Sequence, residues 1–344
     1  MTEPQFLVRA TPHLSGPEST PKIMWTVVFS LIPVVAVSFW FFGPSALLIQ
    51  AAAVLGALIP EHYTGHKGSL RDGSAVITGV LLGLTLPPGM PLWMAFLGGF
   101  FGVAFGKLIF GGLGQNVFNP ALLGRAFLQA AFPVAITTWP SQTGSWWSLR
   151  GDNFAWPLMS PQVVDGSTGA TPLGLFKFEK QSTEFLDLLL GTTSGSVGET
   201  SGLVILACGL FLALRNYLNW RIPASICATV FSFSGILWLF DSEAFASPFF
   251  MLFSGGLMLG AFYMATDMVT SPTTHKGCWI FGAGIGFLVV IIRTWGGLPE
   301  GVMYAILFMN AFVPFINRKT QPRVFGQAPP EKRGLPFMKK GGQA

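Results

Sequence analysis

One stretch stands out for residue types that can do chemistry: Asp165-Gly166-Ser167-Thr168-Gly169-Ala170-Thr171-Pro172-Leu173. Hydroxyls and one carboxylate are carried on a run of small residues. Such a run makes an ordinary turn, with Asp and Ser bonding the local backbone and Gly supplying unusual dihedrals. The order within it is less ordinary. Asp, two free positions, Ser or Thr, then Gly, Ala and Thr should arise by chance on the order of once in a thousand chains of this length at average residue usage. Two arginines, Arg125 and Arg293, fall inside apolar stretches, where a cation costs about 2.5 to 3.5 kcal/mol unless it is paired or snorkels. Arg293, near a helix end, is expected to snorkel. Arg125, after GQNVFNPALLG, is open to two readings: binding an anionic group, or capping carbonyls freed by a broken helix. Asp267, with Thr266, Thr270, Ser271, Thr273 and Thr274 close by, offers either the oxygen ligands of a sodium ion or a helix-end cap. Cys208, Cys227 and Cys278 have no paired spacing, so neither a disulfide framework nor a CxxC metal site is expected.

The elements that hold these residues are set by composition. Of 344 residues 51% are hydrophobic and only 10% charged, against roughly 25% charged in a soluble domain. Apolar runs near 20 residues recur along the chain, the length that matches a bilayer. The expected class is therefore an all-α polytopic membrane protein. Its 42 Gly and 25 Pro lie in or beside the apolar runs, where close packing and broken helices tolerate them. Ten spans are predicted, near 23–42, 44–60, 73–88, 91–110, 116–132, 200–218, 222–240, 248–266, 277–293 and 299–317. The third and fifth are short and carry Gly, Pro or Asn, which leaves a broken or re-entrant helix open for each. Residues 1–22 form a polar arm without signal-peptide features, and 318–344 a basic tail. Residues 133–199 form the one sizeable extramembrane loop.

Orientation follows from the basic residues, which are in excess in cytoplasmic loops. With both termini inside, 15 of the 20 Lys and Arg, Lys107 among them, fall on the cytoplasmic face, and only Arg150, Lys177 and Lys180 on the other. The 133–199 loop is thus placed outside the cytoplasm. Basic residues spread over loops and a tail do not form the single patch that nucleic acid requires, so the expected surroundings are membrane lipid.

An internal repeat emerges at an offset of 185. Laying 85–127 over 270–312 matches 11 of 43 positions, among them Thr85 with Thr270, Gly99 with Gly284, and Gly111-Gly112-Leu113 with Gly296-Gly297-Leu298. The matched stretches begin five helices apart, so 23–132 and 200–317 are expected to be inverted five-helix repeats, with a binding site at their interface.

The small-residue stretch resembles the sequence at which a transferase moves FMN from FAD onto a threonine hydroxyl as a phosphoester. On that resemblance Thr171 is the acceptor, Gly169 and Ala170 keep the backbone before it accessible, and Asp165 and Thr168 complete the recognised pattern. Such transferases act outside the cytoplasm in bacteria, the side already assigned from charge. The likeness extends over essentially the whole chain: PHLSGPESTPKIM, HKGSLRDGSAVITGVLLGLTLPP, GQNVFNPALLGRAF and FYMATDMVTSPTTHKG resemble the family that contains RnfD, a membrane component of the Rnf electron-transport complex, and NqrB, its counterpart in the sodium-translocating NADH:quinone oxidoreductase.

Membership implies a ten-helix fold similar to urea and ammonium channels, and an inner-membrane location. It also implies covalent FMN as one station between reduced ferredoxin and NAD, coupled to sodium or proton movement. The implied partners are the other Rnf subunits, including a second FMN-bearing subunit and iron–sulfur subunits, together with the flavin transferase. A second, non-covalent riboflavin is implied too, with no residue to place it. The short amino-terminal arm favours the Rnf type over the quinone reductase type. Trp139, Trp146, Trp147 and Trp156 are expected to supply stacking partners for a flavin ring. A solute channel is the competing reading from another class, since an inverted repeat alone suggests it; a scaffold that merely holds other subunits is a third.

Overall fold

The computed structural model describes residues 18–65, 69–140, 146–157, 169–199 and 201–322. Every regular element among them is a helix. Helix α1 spans Thr20–Phe42, started by the Ser19 side chain, which accepts from Lys22 N. Helix α2, Pro44–Thr64, follows after a single residue, Gly43. That residue has φ +64°, and a Cβ there would run into the Trp146 carbonyl oxygen. Only glycine allows both the turn and the close approach.

The remaining elements of the first half are α3, Ser74–Leu84, α4, Leu92–Val103, which continues into a π-turn at Ala104–Leu108, α5, Pro120–Ala131, and the short α6, Pro133–Thr137. After the loop come α7, a single turn at Pro172–Gly174 running into a π-turn at Leu175–Glu179, and α8, Phe185–Leu190. The second half holds α9, Gly202–Leu214, α10, Arg221–Phe240, α11, Pro248–Phe253, and α12, Leu257–Leu259, which continues as a π-turn at Gly260–Met264. It ends with α13, His275–Trp295, and α14, Val302–Thr320.

The chain is a polytopic helical membrane protein. Helices α1, α2, α10 and α13 are long and apolar enough to cross a bilayer, and Ser74–Leu84, Leu92–Leu108 and Gly202–Leu214 are shorter apolar helices. The third predicted span ends early, at Leu84, and continues as buried coil through Pro88; the fifth begins late, at Pro120, behind the Asn119 cap. The eighth span, expected to be continuous, is instead interrupted at 254–256, where Gly255 has φ +64°. Small residues bring the backbones together as they do between helices in lipid. Gly56 lies against the Phe96 carbonyl, Gly99 against that of Ala53, and Gly282 against Ile222 and Ser225.

Two buried side chains tie down the ends of interrupted stretches at positions 185 apart. Arg125 Nη1 donates to the Thr85 carbonyl at 2.8 Å. Asn310, with its amide turned to satisfy both atoms, donates to the Thr270 carbonyl at 3.3 Å and accepts from Asn119 N.

Candidate functional site

Thr171 is the N-cap of α7: its Oγ1 accepts from Gly174 N at 3.1 Å, and Pro172 fills the first helical position. Behind it, Gly169 N donates to the Trp139 carbonyl at 2.7 Å, which pins this segment to the end of α6. Asp165 and Thr168 lie outside the described residues. Gly169, Ala170 and Thr171 form one wall of a cleft of about 630 Å³. Ile136 to Trp139, Phe178, Gly255 and Tyr304 also line it, together with the charged residues Arg125, Glu179, Glu199 and Glu300.

Of the four tryptophans expected to stack on a flavin, the cleft brings in Trp139 alone. Trp146 turns away, edge-on to Phe39, with its Nε1 donating to the Trp40 carbonyl at 3.0 Å. Trp147 and Trp156 are each 74% exposed. The cleft also takes in Phe178 and Tyr304, which isolated aromatic residues in a Phe-rich chain do not reveal.

Arg125 satisfies both readings left open for it. Its Nη1 caps the Thr85 carbonyl and its Nη2 pairs with Glu300 Oε2 at 2.9 Å. The anionic group is thus a carboxylate of the same chain, 175 residues away. The other oxygen, Glu300 Oε1, accepts from Gly256 N at 2.7 Å and so fixes the interrupted stretch between α11 and α12.

Arg293 does not snorkel. It is buried, and donates through Nη1 to the Met251 carbonyl at 2.6 Å and through Nη2 to that of Ser254 at 2.9 Å. Interrupting a helix frees carbonyls that an internal guanidinium can cap, and this gain replaces escape to the interface. Lys177 performs the same task at the end of α13, donating to the carbonyls of Arg293 at 3.2 Å, of Leu298 at 2.9 Å and of Gly296. Burial holds its ammonium below the usual lysine range. Around Glu199 the loss of water, with Glu300 as the second cause, pushes the carboxyl up to about 7.

One further polar residue differs from its expected setting. Lys107 does not sit in an exposed cytoplasmic loop. Its side chain is 3% exposed and pairs with Glu61 Oε1 at 2.6 Å, with Ser74 Oγ as a second acceptor. Asp267 bonds the local backbone, one of the two roles expected of it, at a turn and not at a helix end: Oδ1 accepts from Val269 N and Oδ2 from the Thr270 hydroxyl.

Comparison with known proteins places this geometry in a family. The model of the NQR2, RnfD, RnfE family matches residues 7–326. The D-type subunit of the proton-translocating ferredoxin:NAD(+) oxidoreductase complex of Clostridium ljungdahlii is 40% identical over 339 residues, covering 93% of this chain and 96% of the relative. The D-type subunit of the ion-translocating oxidoreductase complex is 38% identical in Alcanivorax borkumensis and 37% in Cronobacter sakazakii, each covering 93% of this chain and 97% and 99% of the relative. On the match over residues 7–326 and on these relatives, the chain belongs to the NQR2, RnfD, RnfE family.

Proposed function

We propose that this chain is the D-type membrane subunit of an ion-translocating ferredoxin:NAD+ oxidoreductase of the Rnf type, carrying electrons through FMN joined by a phosphoester to Thr171. The relatives compared above are named as D-type subunits and are covered over 96% to 99% of their length, which favours this over the quinone reductase type. The observation that carries the cofactor reading is the position of the Thr171 hydroxyl in the lining of the 630 Å³ cleft. A solute channel has no use for such an acceptor.

The residues present fit the group. Acting as N-cap uses one lone pair of Thr171 Oγ1, so the oxygen can form an ester while the turn stays closed. Gly169 and Ala170 keep bulk away from the approach. Trp139, Phe178 and Tyr304 offer aromatic faces and edges for a planar ring, and Arg125 contributes positive charge. FMN held there would supply one- and two-electron chemistry. The chain's own part is to anchor the group, to shield it with aromatic side chains, and to fix charge around it through Arg125, Glu199 and Glu300.

The same reading includes ten spans in two inverted five-helix halves, supported by the equivalent Arg125–Thr85 and Asn310–Thr270 contacts at an offset of 185. Both termini lie in the cytoplasm and the 133–199 loop outside, in the bacterial inner membrane. The loop then sits about 30 Å of hydrocarbon away from a cytoplasmic donor. Other redox subunits must bring electrons to it, and a second FMN-bearing subunit docked on that loop is the natural donor. A flavin transferase matures the protein, and a non-covalent riboflavin remains part of the family expectation. The test is flavin fluorescence in a denaturing gel. The wild-type band should fluoresce and Thr171→Ala should not; equal fluorescence in both would reject the attachment.

A further inference from the structure

Beside Thr171 lies a group of charges that anchoring a cofactor does not require. Glu199 closes a short turn, Val197–Glu199, wedged under the end of α3. Val197 N donates to the Leu86 carbonyl at 3.0 Å, and Gly198 is so close to Leu84 that a Cβ would come within 2.8 Å of its side chain and its carbonyl oxygen. Glu300 arrives from the connection between α13 and α14. The two carboxylates close on one backbone atom: a Cβ on Gly256 would stand 2.8 Å from Glu300 Oε1 and 3.7 Å from Glu199 Oε1.

The cations nearby are already committed. Arg125 serves Glu300 and the Thr85 carbonyl, and Arg293 serves two carbonyls of the interrupted helix. Among the described residues Glu199 enters no ion pair; its carboxylate is held by the Ser196 hydroxyl and backbone. At the turn itself, Gly198 packs against Leu84 of α3 and Leu259 of α12. Further out the cleft lining includes Glu179 and Tyr304. Two polar atoms of the Arg293-capped break, Ser254 Oγ and Arg293 Nε, are buried with no hydrogen-bond partner. A carboxylate beside another carboxylate, in no ion pair of its own and in the lining of a cleft, is the arrangement that exchanges a proton.

We propose that Glu199 is the proton-binding group of the Thr171 cleft, taking up one proton when an electron enters the cleft and releasing it when the electron leaves. This rests on the reading that Thr171 carries the flavin. The electron comes from a reduced redox centre of a neighbouring subunit and adds one negative charge. One proton then passes from cleft water to a Glu199 carboxylate oxygen, so the net charge of the site is unchanged. Oxidation by the next carrier reverses both transfers. Glu300 cannot replace Glu199, because its two oxygens are engaged by Arg125 and Gly256 N.

The experiment uses the assembled complex in membranes, with the flavin reduced at controlled potential across neutral pH. Flavin attachment is scored separately in a denaturing gel for every variant. In the wild type the flavin midpoint potential should fall with pH more steeply than in Glu199→Gln, and proton uptake on reduction should drop in that variant by up to about one proton per site, most on the alkaline side of neutral pH. Ser196→Ala removes the hydroxyl hydrogen bond that favours the charged carboxylate while leaving the backbone one, and should move the steep region to higher pH. It provides the readout should Glu199→Gln fail to assemble.

Wild-type pH dependence in a flavin-loaded Glu199→Gln complex, or an unmoved steep region in flavin-loaded Ser196→Ala, would overturn the proposal. Absence of flavin from the wild-type band would defeat the functional reading instead. In that event infrared titration of the flavin-free protein still decides the proton site, which requires a carboxyl band near neutral pH that Glu199→Gln removes.

Discussion

Replacing Arg125 by Met keeps an unbranched apolar stem and deletes the charged head. Two groups are then stranded. The Thr85 carbonyl loses its 2.8 Å donor, and Glu300 loses a 2.9 Å partner in a pair whose side chains are 9% and 19% exposed. Removing one partner of a buried pair costs about 3–5 kcal/mol, and an orphaned buried polar group about 1–3 kcal/mol. Part of each is relieved by water entering the cleft, so a total near 4 kcal/mol is expected. Glu300→Gln should also destabilise, because it leaves Arg125 uncompensated, although its amide oxygen can still accept from Gly256 N. The double variant strands neither charge. Its cost should therefore fall short of the sum of the single variants by about 2–3 kcal/mol, within the range found for residues in direct contact. The assay is denaturant unfolding in mixed micelles read by tryptophan fluorescence, for all four proteins of the cycle. Additivity within about 0.5 kcal/mol, or a cost below about 1 kcal/mol for Arg125→Met, would refute the claim that this pair locks the interrupted helices together.

Three other outcomes follow from the same geometry. Because Glu199 binds its proton at about 7 in the fold against 4.5 ordinarily, the folded state holds more protons and wild-type stability declines as pH rises between those values. Glu199→Gln should therefore gain on the wild type by on the order of 3 kcal/mol from pH 4.5 to above 7, and a melting difference that is flat in pH would contradict this. Gly255→Ala introduces a side chain at φ +64° with Leu173 Cδ1 at 2.7 Å, whereas Gly297 has nothing within 4 Å. Thermal unfolding should show a loss above about 1 kcal/mol for the first and under about 0.5 kcal/mol for Gly297→Ala. Phe178 is 74% exposed, so a cysteine there should react with an impermeant reagent added from the outer face; protection there together with labelling of the 318–344 tail would reverse the proposed orientation.

The sequence made much of the helical framework legible because bilayer-length apolar runs have few alternatives. It flagged Thr171 by its small-residue context and Arg125 by the cost of a cation at depth. Partners were not legible. Nothing near Arg125 in the chain points to Glu300, 175 positions away in the connection before α14. The break at 254–256 was written in Ser254-Gly255-Gly256, but its apolar flanks hid it, and with it the carbonyls that keep Arg293 inside. Lys107 misled for a related reason: a charge at the end of an apolar run reads as a loop residue until Glu61, 46 positions earlier, is found beside it.

The central claim, flavin on Thr171, is tested most directly by the mass of one peptide. Trypsin cutting after Arg150 and Lys177 releases residues 151–177 as a single fragment that contains Ser167, Thr168 and Thr171. The account predicts that in the assembled wild-type complex this peptide carries the added mass of one FMN less one water, and that fragmentation places it on Thr171. An unmodified peptide, or the same mass placed on Ser167 or Thr168, would contradict it.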